Sequence, residues 1–464
     1  DVESANWPPG HAYATDGPYI KYLPGAVNAG LVSMADLDAA LRHALNMRFE
    51  LGLFDPIEDQ PYWHVKPSAV RSPEHLASSL DATRQGLVLL QNPSNNVLPF
   101  KAGKKVAVVG PHTNDRTHIL GNYLGQICPE SVTSRVCVQS VYEAVSEVNA
   151  KTAGGATVNA SGLSNVTSTD QSLLKAAIDA AKASDVIVYV GGLDTQTVER
   201  ESHDRHDISL PGIQPDFLAQ LAGMGKPMVL ILFHGGIVTL PPSLLAHKNL
   251  AIVSAGYPGF FGGQAIAEAL FDIPGVTVPD STLAVNRWGR TPVTWYSEEG
   301  WKAANLDMLN FDMSKSPGRT YRYTDEKLVQ WPFGFGLTYS SQYSELMIKE
   351  KGKVNVEVHN TGRVSDAVVL VYVQPATATT IPHGVPAAKL KRWLVHFERI
   401  DSLGDGESGL VVVDLTPKLV TLTEKDGQGI VYPGCYKMTA EGSDGPFSYV
   451  EFECSATECG GPCK

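Results

Sequence analysis

Two glutamates stand two residues apart, Glu199 and Glu201, in the stretch GGLDTQTVERESHDRHDISLPG from Gly191 to Gly212. Paired carboxyl groups suit general acid and base work: one gives a proton to a leaving group, and its conjugate base later takes one from water. In an extended loop, side chains two apart point the same way, so both glutamates are expected to face one space. The dipeptide Asp204-Arg205 follows and reads as a structural pair that shapes the loop, with Arg205 also placed to tether it. His203 and His206 read as solvated or loop-packing. The plain alternative is a charged, solvated loop with no chemistry.

The elements that must position these residues are legible around them. An apolar run, Asp185 to Val190, leads into the stretch and a helical pattern leaves it. A loop after a buried strand is where α/β proteins tend to place their chemistry. From residue 105 to about 296, short apolar runs at 105–109, 185–190, 228–233 and 251–254 alternate with helical patterns near 141–148, 170–183, 212–224 and 262–271. Near-continuous apolar strands alternating with helices predict a mostly parallel sheet covered on both faces. His234, in Phe233-His234-Gly235-Gly236, reads as structural, and Tyr257-Pro258-Gly259 as a turn. Gly110-Pro111 follows the first strand, but no GxGxxG is present, so a dinucleotide reading is weak.

The 464 residues predict several domains. Residues 1–30 are loop-rich, and the chain opens as a loop already inside a domain, so a preceding segment is expected. Ser33 and Asp36 form a capping-box pattern ahead of a stripe made by Leu37, Leu41, Ala44 and Leu45, and Gly52 ends it. One helix cannot bury its stripe alone. A second helix starts at Ser72-Pro73-Glu74. Residues 300–340 are an irregular bridge. After that the pattern turns to period two: Val354, Val356 and Val358, then 368–373, 393–397 and 410–413, which predicts an antiparallel sandwich.

Net charge is −12 and the isoelectric point near 5.5, which argues against nucleic-acid binding. No apolar run approaches the length of a membrane span. Six cysteines lack CxxC spacing, and no metal-ligand cluster stands out. Proximity suggests pairs Cys128–Cys137 and Cys435–Cys454. Sequons at Asn159 and Asn165 join the cysteines in predicting a secreted, extracellular glycoprotein.

Several segments, in order, resemble the C-terminal part of glycoside hydrolase family 3, within its β-xylosidase branch. They are Gly191 to Gly212, Gly225-Lys226-Pro227, Ala255 to Gly259, Gly263 to Ile266, Gly289 to Tyr296, Pro317 to Tyr321 and Phe333 to Leu337. The resemblance covers residues 1 to about 455. It implies an α/β chain in several parts: the end of a (β/α)8 barrel at 1–53, a linker and helix at 54–85, an α/β sandwich domain at 86–299, a bridge at 300–340, a fibronectin type III-like β-sandwich at 341–455 and a Cys-rich tail at 456–464. It also implies a retaining exo-glycosidase that releases β-linked xylose from the non-reducing end of xylo-oligosaccharides, without a metal or cofactor. Thr197-Val198-Glu199 matches the family's approach to its acid/base, which favours Glu199, with Glu201 as runner-up or substrate contact. Trp7 and Tyr13 are candidates to stack on a sugar, as is Tyr19. The family's nucleophile is an aspartate on the barrel, and no position of this chain matches it. A partner N-terminal barrel polypeptide is therefore expected to supply it. The rival readings are a β-glucosidase or α-L-arabinofuranosidase of the same family, and a non-catalytic carbohydrate-binding or structural subunit.

Overall fold

A computed structural model describes residues 18–95, 97–131, 133–271, 286–305, 309–376, 381, 389–424, 426–441 and 448–463. Trp7 and Tyr13 lie outside the described residues. The chain divides into two units, 1–76 and 77–464.

The first unit holds helix α1 (Pro18–Asn28) and helix α2 (Met34–Glu50). Asp36 N–H donates to Ser33 Oγ at 3.1 Å, and Ser33 N–H donates back to Asp36 Oδ2 at 2.9 Å, so the capping box forms as its spacing predicts. None of the residues of α2 is buried; Leu41 and Leu45 of the predicted stripe are exposed. Helix α3 (Pro73–Gly86) leads into the second unit.

The second unit is built on a six-stranded sheet ordered β1-β6-β5-β4-β2-β3. Its strands are β1 (Val88–Gln91), β2 (Lys105–Val109), β3 (Ala156–Ala160), β4 (Val186–Gly192), β5 (Met228–Phe233) and β6 (Leu250–Gly256). All neighbours are parallel except β1, which runs antiparallel to β6. Every residue of β4 and β5 is buried. Helices α4 (Val141–Ala150), α5 (Leu174–Ala183), α6 (Gln214–Ala222) and α7 (Pro242–Leu245) connect the strands, and α8 (Gly262–Phe271) follows β6. Two apolar cores flank the sheet, one with Val108, Val188 and Ile231, the other with Ala107, Ile187 and Leu230. That is the arrangement the continuous apolar runs call for. Two strands carried no such run. β3 is an edge strand of sequence ATVNA, half exposed, and β1 merges into the end of α3.

Beyond the bridge, two antiparallel sheets share one core. The smaller joins β7 (Ser341–Glu350), β8 (Lys353–Thr361) and β11 (Ser408–Asp414). The larger joins β9 (Ser365–Pro375), β10 (Trp393–Leu403), β12 (Gly434–Glu441), β13 (Tyr449–Cys454) and β14 (Cys459–Gly461). Val354, Val356 and Val358 are buried, as their period predicts. The tail beyond residue 455 extends the larger sheet through β14. Cys128 and Cys137 are bonded. The expected Cys435–Cys454 pair is replaced by Cys435–Cys463 and Cys454–Cys459. Register explains the change: Cys454 lies opposite Gly434 and Cys435 opposite Glu453, so the two cysteines face opposite sides of the sheet.

Candidate active site

The strand order reverses between β2 and β4: β3 lies outside β2, and β5 and β6 follow beyond β4. Open α/β sheets bind ligands above the carboxyl ends of their strands at such a reversal. The loop after β2 and the loop after β4 both rise there.

The second loop is folded by Asp194, which is buried. Its Oδ1 accepts from the backbone N–H groups of Gln196 at 3.0 Å, Thr197 at 2.5 Å and Val198 at 3.3 Å, and its Oδ2 from Thr197 Oγ1 at 2.7 Å. Burial pushes this carboxyl up, but the donors of Thr197 and Gln196 outweigh it and hold it below the usual range. The chain turns from 195 to 198 and again between Arg200 and His203, with Ser202 at φ 65°. The loop is therefore not extended, and the two glutamates do not face one space.

Glu199 points inward. Its Oε1 accepts from Gly235 N–H and from Tyr257 OH at 2.7 Å; its Oε2 accepts from Gly236 N–H at 3.0 Å. A Cβ at position 235 would fall 2.8 Å from Glu199 Oε1, so a glycine there lets the carboxylate come down onto the backbone. Burial, with Glu199 beside it, holds the Tyr257 phenol far above its ordinary value, so it keeps the proton it donates. Tyr257 is thus part of the carboxylate's seat as well as of a turn. His234 supports the same corner. Burial pushes its pKa down to about 4, leaving the ring neutral. Its Nδ1 lies 3.1 Å from Gly236 O, an acceptor, so Nδ1 carries the hydrogen and Nε2 accepts from Ser254 Oγ at 2.7 Å.

Glu201 points outward and is exposed. Tyr123 OH, from the loop after β2, donates to its Oε2 at 2.9 Å. Among the described residues no protein donor is bonded to its Oε1.

Arg205 shapes the loop, donating to Ile237 O at 2.9 Å and Ser209 O at 3.4 Å. Its acidic neighbour is Glu199, at 3.9 Å, and not the expected Asp204, which is exposed and forms no ion pair with it. The turn that sends Glu199 inward puts it in reach of Arg205. His203 and His206 are exposed. Asn165 is exposed, its Oδ1 accepting from Thr167 N–H and Oγ1 at 3.0 Å each; Asn159 is half-buried on β3.

A neighbouring cluster escaped the sequence reading. His112 Nδ1 and His118 Nδ1 lie 2.8 and 2.7 Å from Asp115 Oδ2, and His112 Nε2 lies 2.9 Å from Leu193 O. It joins the loop after β2 to the root of the loop after β4. Its signal was the spacing His-x-x-Asp-x-x-His. The three ligand atoms lie within 4.8 Å of one another, close enough to gather round a cation, though the spacings of Asp115 to each ring are those of hydrogen bonds.

Fold and site define a multidomain α/β protein whose carboxylates are carried on a loop at the carboxyl edge of a parallel sheet, backed by an antiparallel sandwich. Residues 87–339 match the family model described as the glycosyl hydrolase family 3 C-terminal domain, and the chain belongs to glycosyl hydrolase family 3. It is 33% identical over 441 residues to a probable exo-1,4-β-xylosidase of Aspergillus terreus, covering 91% of this chain and 53% of that protein. It is 33% identical over 350 residues to β-D-xylosidase 1 of Arabidopsis thaliana, covering 74% of this chain and 41% of that one. Among solved structures it resembles a family 3 exo-β-xylosidase in complex with a xylobiose aziridine activity-based probe. The TM-score is 0.71 and the identity 27%, over 96% of this chain and 57% of that one. A β-glucosidase from Erythrobacter marinus matches with a TM-score of 0.67 and 26% identity, over 93% of this chain and 57% of that one. The chain spans about half the length of the curated relatives it matches. Among the described residues no helix is long and apolar enough to cross a membrane.

Proposed function

We propose that this chain carries the acid/base half of a retaining exo-glycosidase that releases β-linked xylose from the non-reducing end of xylo-oligosaccharides. The aspartate nucleophile comes from a (β/α)8 barrel outside these residues, and the uncovered stripe of α2 fits a role at the end of that barrel. The sandwich is fibronectin type III-like and stabilising. The enzyme acts outside the cell, with glycans at Asn165 and Asn159.

The observation that carries the reading is the division of labour between the two glutamates. Glu199 has both oxygens engaged by backbone N–H groups and a phenol, so it serves as the clamp that fixes the loop to the Gly235-Gly236 corner. Glu201 turns a carboxyl oxygen to open space, where a glycosidic oxygen can reach it. We therefore assign the acid/base to Glu201, with Glu199 the alternative. Retaining hydrolysis sets the two working carboxyls roughly 5–5.5 Å apart, which requires the barrel carboxylate to stand across from Glu201.

The test is hydrolysis of xylobiose by the complete enzyme, barrel included. Glu201→Gln is expected to lower kcat by about 10²–10⁴, the range of general acid–base catalysis. Glu199→Gln is expected to lower thermal stability as well as activity, because it unfastens the loop. Full activity of Glu201→Gln with loss in Glu199→Gln returns the role to Glu199. Activity in neither wild type nor variant, with oligosaccharide still bound, makes the chain a binding subunit. The resemblance to solved β-glucosidases favours one second reading, which a panel of aryl xylosides, glucosides and arabinofuranosides separates from the first.

A further inference from the structure

The loop after β2 brings a residue to Glu201 that the two-carboxylate scheme does not use. Tyr123 is 82% exposed, and its φ of 55° is one that bulky side chains rarely adopt. Among the described residues nothing packs over this ring, and strained backbone gathers at functional sites. The loop is fastened to the same corner as the glutamates. Gly121 (φ 79°) lies against Tyr257, where an added Cβ would stand 3.3 Å from Tyr257 Cβ. Thr195 Oγ1, at the root of the glutamate loop, donates to Gly121 O at 3.3 Å. Asn122 Oδ1 accepts from Tyr123 N–H at 2.9 Å. Tyr123 and Glu201 thus meet above the strand reversal, one from each flanking loop.

We propose that Tyr123 is the leaving-group residue of this site: its hydroxyl holds Glu201 Oε2 so that Oε1 faces the glycosidic oxygen, and its ring carries the apolar face of the departing sugar. This rests on the assignment of the acid/base to Glu201. In the first step the barrel carboxylate bonds to the anomeric carbon, and the electron pair of the breaking C–O bond goes to the glycosidic oxygen. That oxygen takes the proton from Glu201 Oε1. The Tyr123 hydrogen bond is strengthened as Glu201 becomes an anion, since charge-assisted bonds are the stronger ones. Tyr123 keeps its own proton throughout, because the Glu201 carboxylate holds its phenol above the ordinary value. In the second step water bonds to the anomeric carbon as the bond to the barrel carboxylate breaks and its electron pair returns to that carboxylate, while Glu201 takes the proton the water gives up.

The experiment compares xylobiose with β-xylosyl fluoride in the complete enzyme carrying Tyr123→Phe, Tyr123→Ala or Glu201→Gln. Xylobiose needs its leaving oxygen protonated and leaves as a sugar; fluoride asks far less of the acid and has no body to stack. Tyr123→Phe is expected to lower kcat/KM for xylobiose roughly tenfold to a hundredfold, the value of a hydrogen bond to a charged group. Tyr123→Ala is expected to add about a threefold to tenfold rise in KM for xylobiose, the value of a lost aromatic contact. Both leave kcat/KM for the fluoride, which reports only the first step, within about twofold, a split that a merely structural role would not give. Equal losses on both substrates, or none on either, overturn the proposal. If Glu201→Gln still cleaves xylobiose at the wild-type rate, the acid/base assignment falls and this proposal with it. If Glu201→Gln is impaired on xylobiose but Tyr123→Phe is not, the assignment stands and the role of Tyr123 is lost. An unchanged thermal midpoint in each Tyr123 variant shows that the loop is still folded.

Discussion

Asp115 gathers two imidazoles where the loop after β2 meets the root of the glutamate loop, and its titration sets how firmly they are joined. Burial alone would push Asp115 up, but bonds from His112 and His118 hold it well below its usual range. The bond from Asp115 raises His118, against the opposing effect of burial. A lowered carboxyl stabilises the fold above its unfolded value near 3.9 and loses that effect as the pH falls through its folded value. A raised histidine stabilises fully below its unfolded value near 6.5 and loses the effect as the pH rises through the folded one. The clip is therefore strongest between about pH 4 and 6.5. The thermal midpoint of His118→Asn should fall furthest below wild type near pH 5 and approach it by about pH 9. A constant difference across that range would show that His118 contributes packing and not charge. At this scale the sequence singled out the two carboxyls but not that they would face apart. Glu199 and Glu201 have the same chemistry and neighbouring numbers, and what separates them is a turn set by Asp194 together with Gly235 and Tyr257, 36 and 58 residues further on.

At the scale of elements, β4 must end where the glutamate loop begins, and Gln214 fixes that point. The side chain is fully buried at the start of α6. Its Nε2 donates to Gly192 O at 2.9 Å and Val166 O at 3.0 Å, and its Oε1 accepts from Gly192 N–H at 2.9 Å. Gln214→Leu keeps the volume but leaves buried backbone groups unpaired, at about 1–3 kcal/mol each. A loss of about 2–4 kcal/mol in urea unfolding is expected, and a loss under about 1 kcal/mol would mean that water replaces the amide. The central strands and the helices between them were legible because continuous apolar runs and 3.6-residue stripes have few other uses. Residues 262–271 form a helix on the bounds their pattern suggests. β3 was hidden because an edge strand needs no apolar run, and the C-terminal disulfides because pairing depends on a register that spacing does not carry.

At the scale of the molecule, the α/β domain and the sandwich are fastened by a buried charge cluster. Asp366, on β9, is fully buried and accepts from Arg287 Nε at 2.8 Å, Arg399 Nη1 at 3.0 Å and Ser402 N–H at 3.0 Å. Arg287 also pairs with Asp81 of α3 and with Asp401 Oδ1 at 2.9 Å. Three segments meet there: the helix ahead of the sheet, the chain after the sheet, and two strands of the sandwich. No periodicity announces such a cluster, since its members are spread from residue 81 to 401. The order of whole segments was legible, because the matched motifs occur in one sequence across both domains. Removing one partner of a buried ion pair strands the others and costs about 3–5 kcal/mol. Asp366→Ala leaves two guanidinium groups facing each other at the domain junction. The wild-type second unit is expected to unfold in a single calorimetric transition, with both domains melting together. In Asp366→Ala the sandwich is expected to melt first, as a separate and lower transition, while the α/β domain keeps a midpoint closer to the original. A variant that melts in one unshifted transition would show that the apolar contacts between the domains suffice, and that the charge cluster selects their orientation without holding them together.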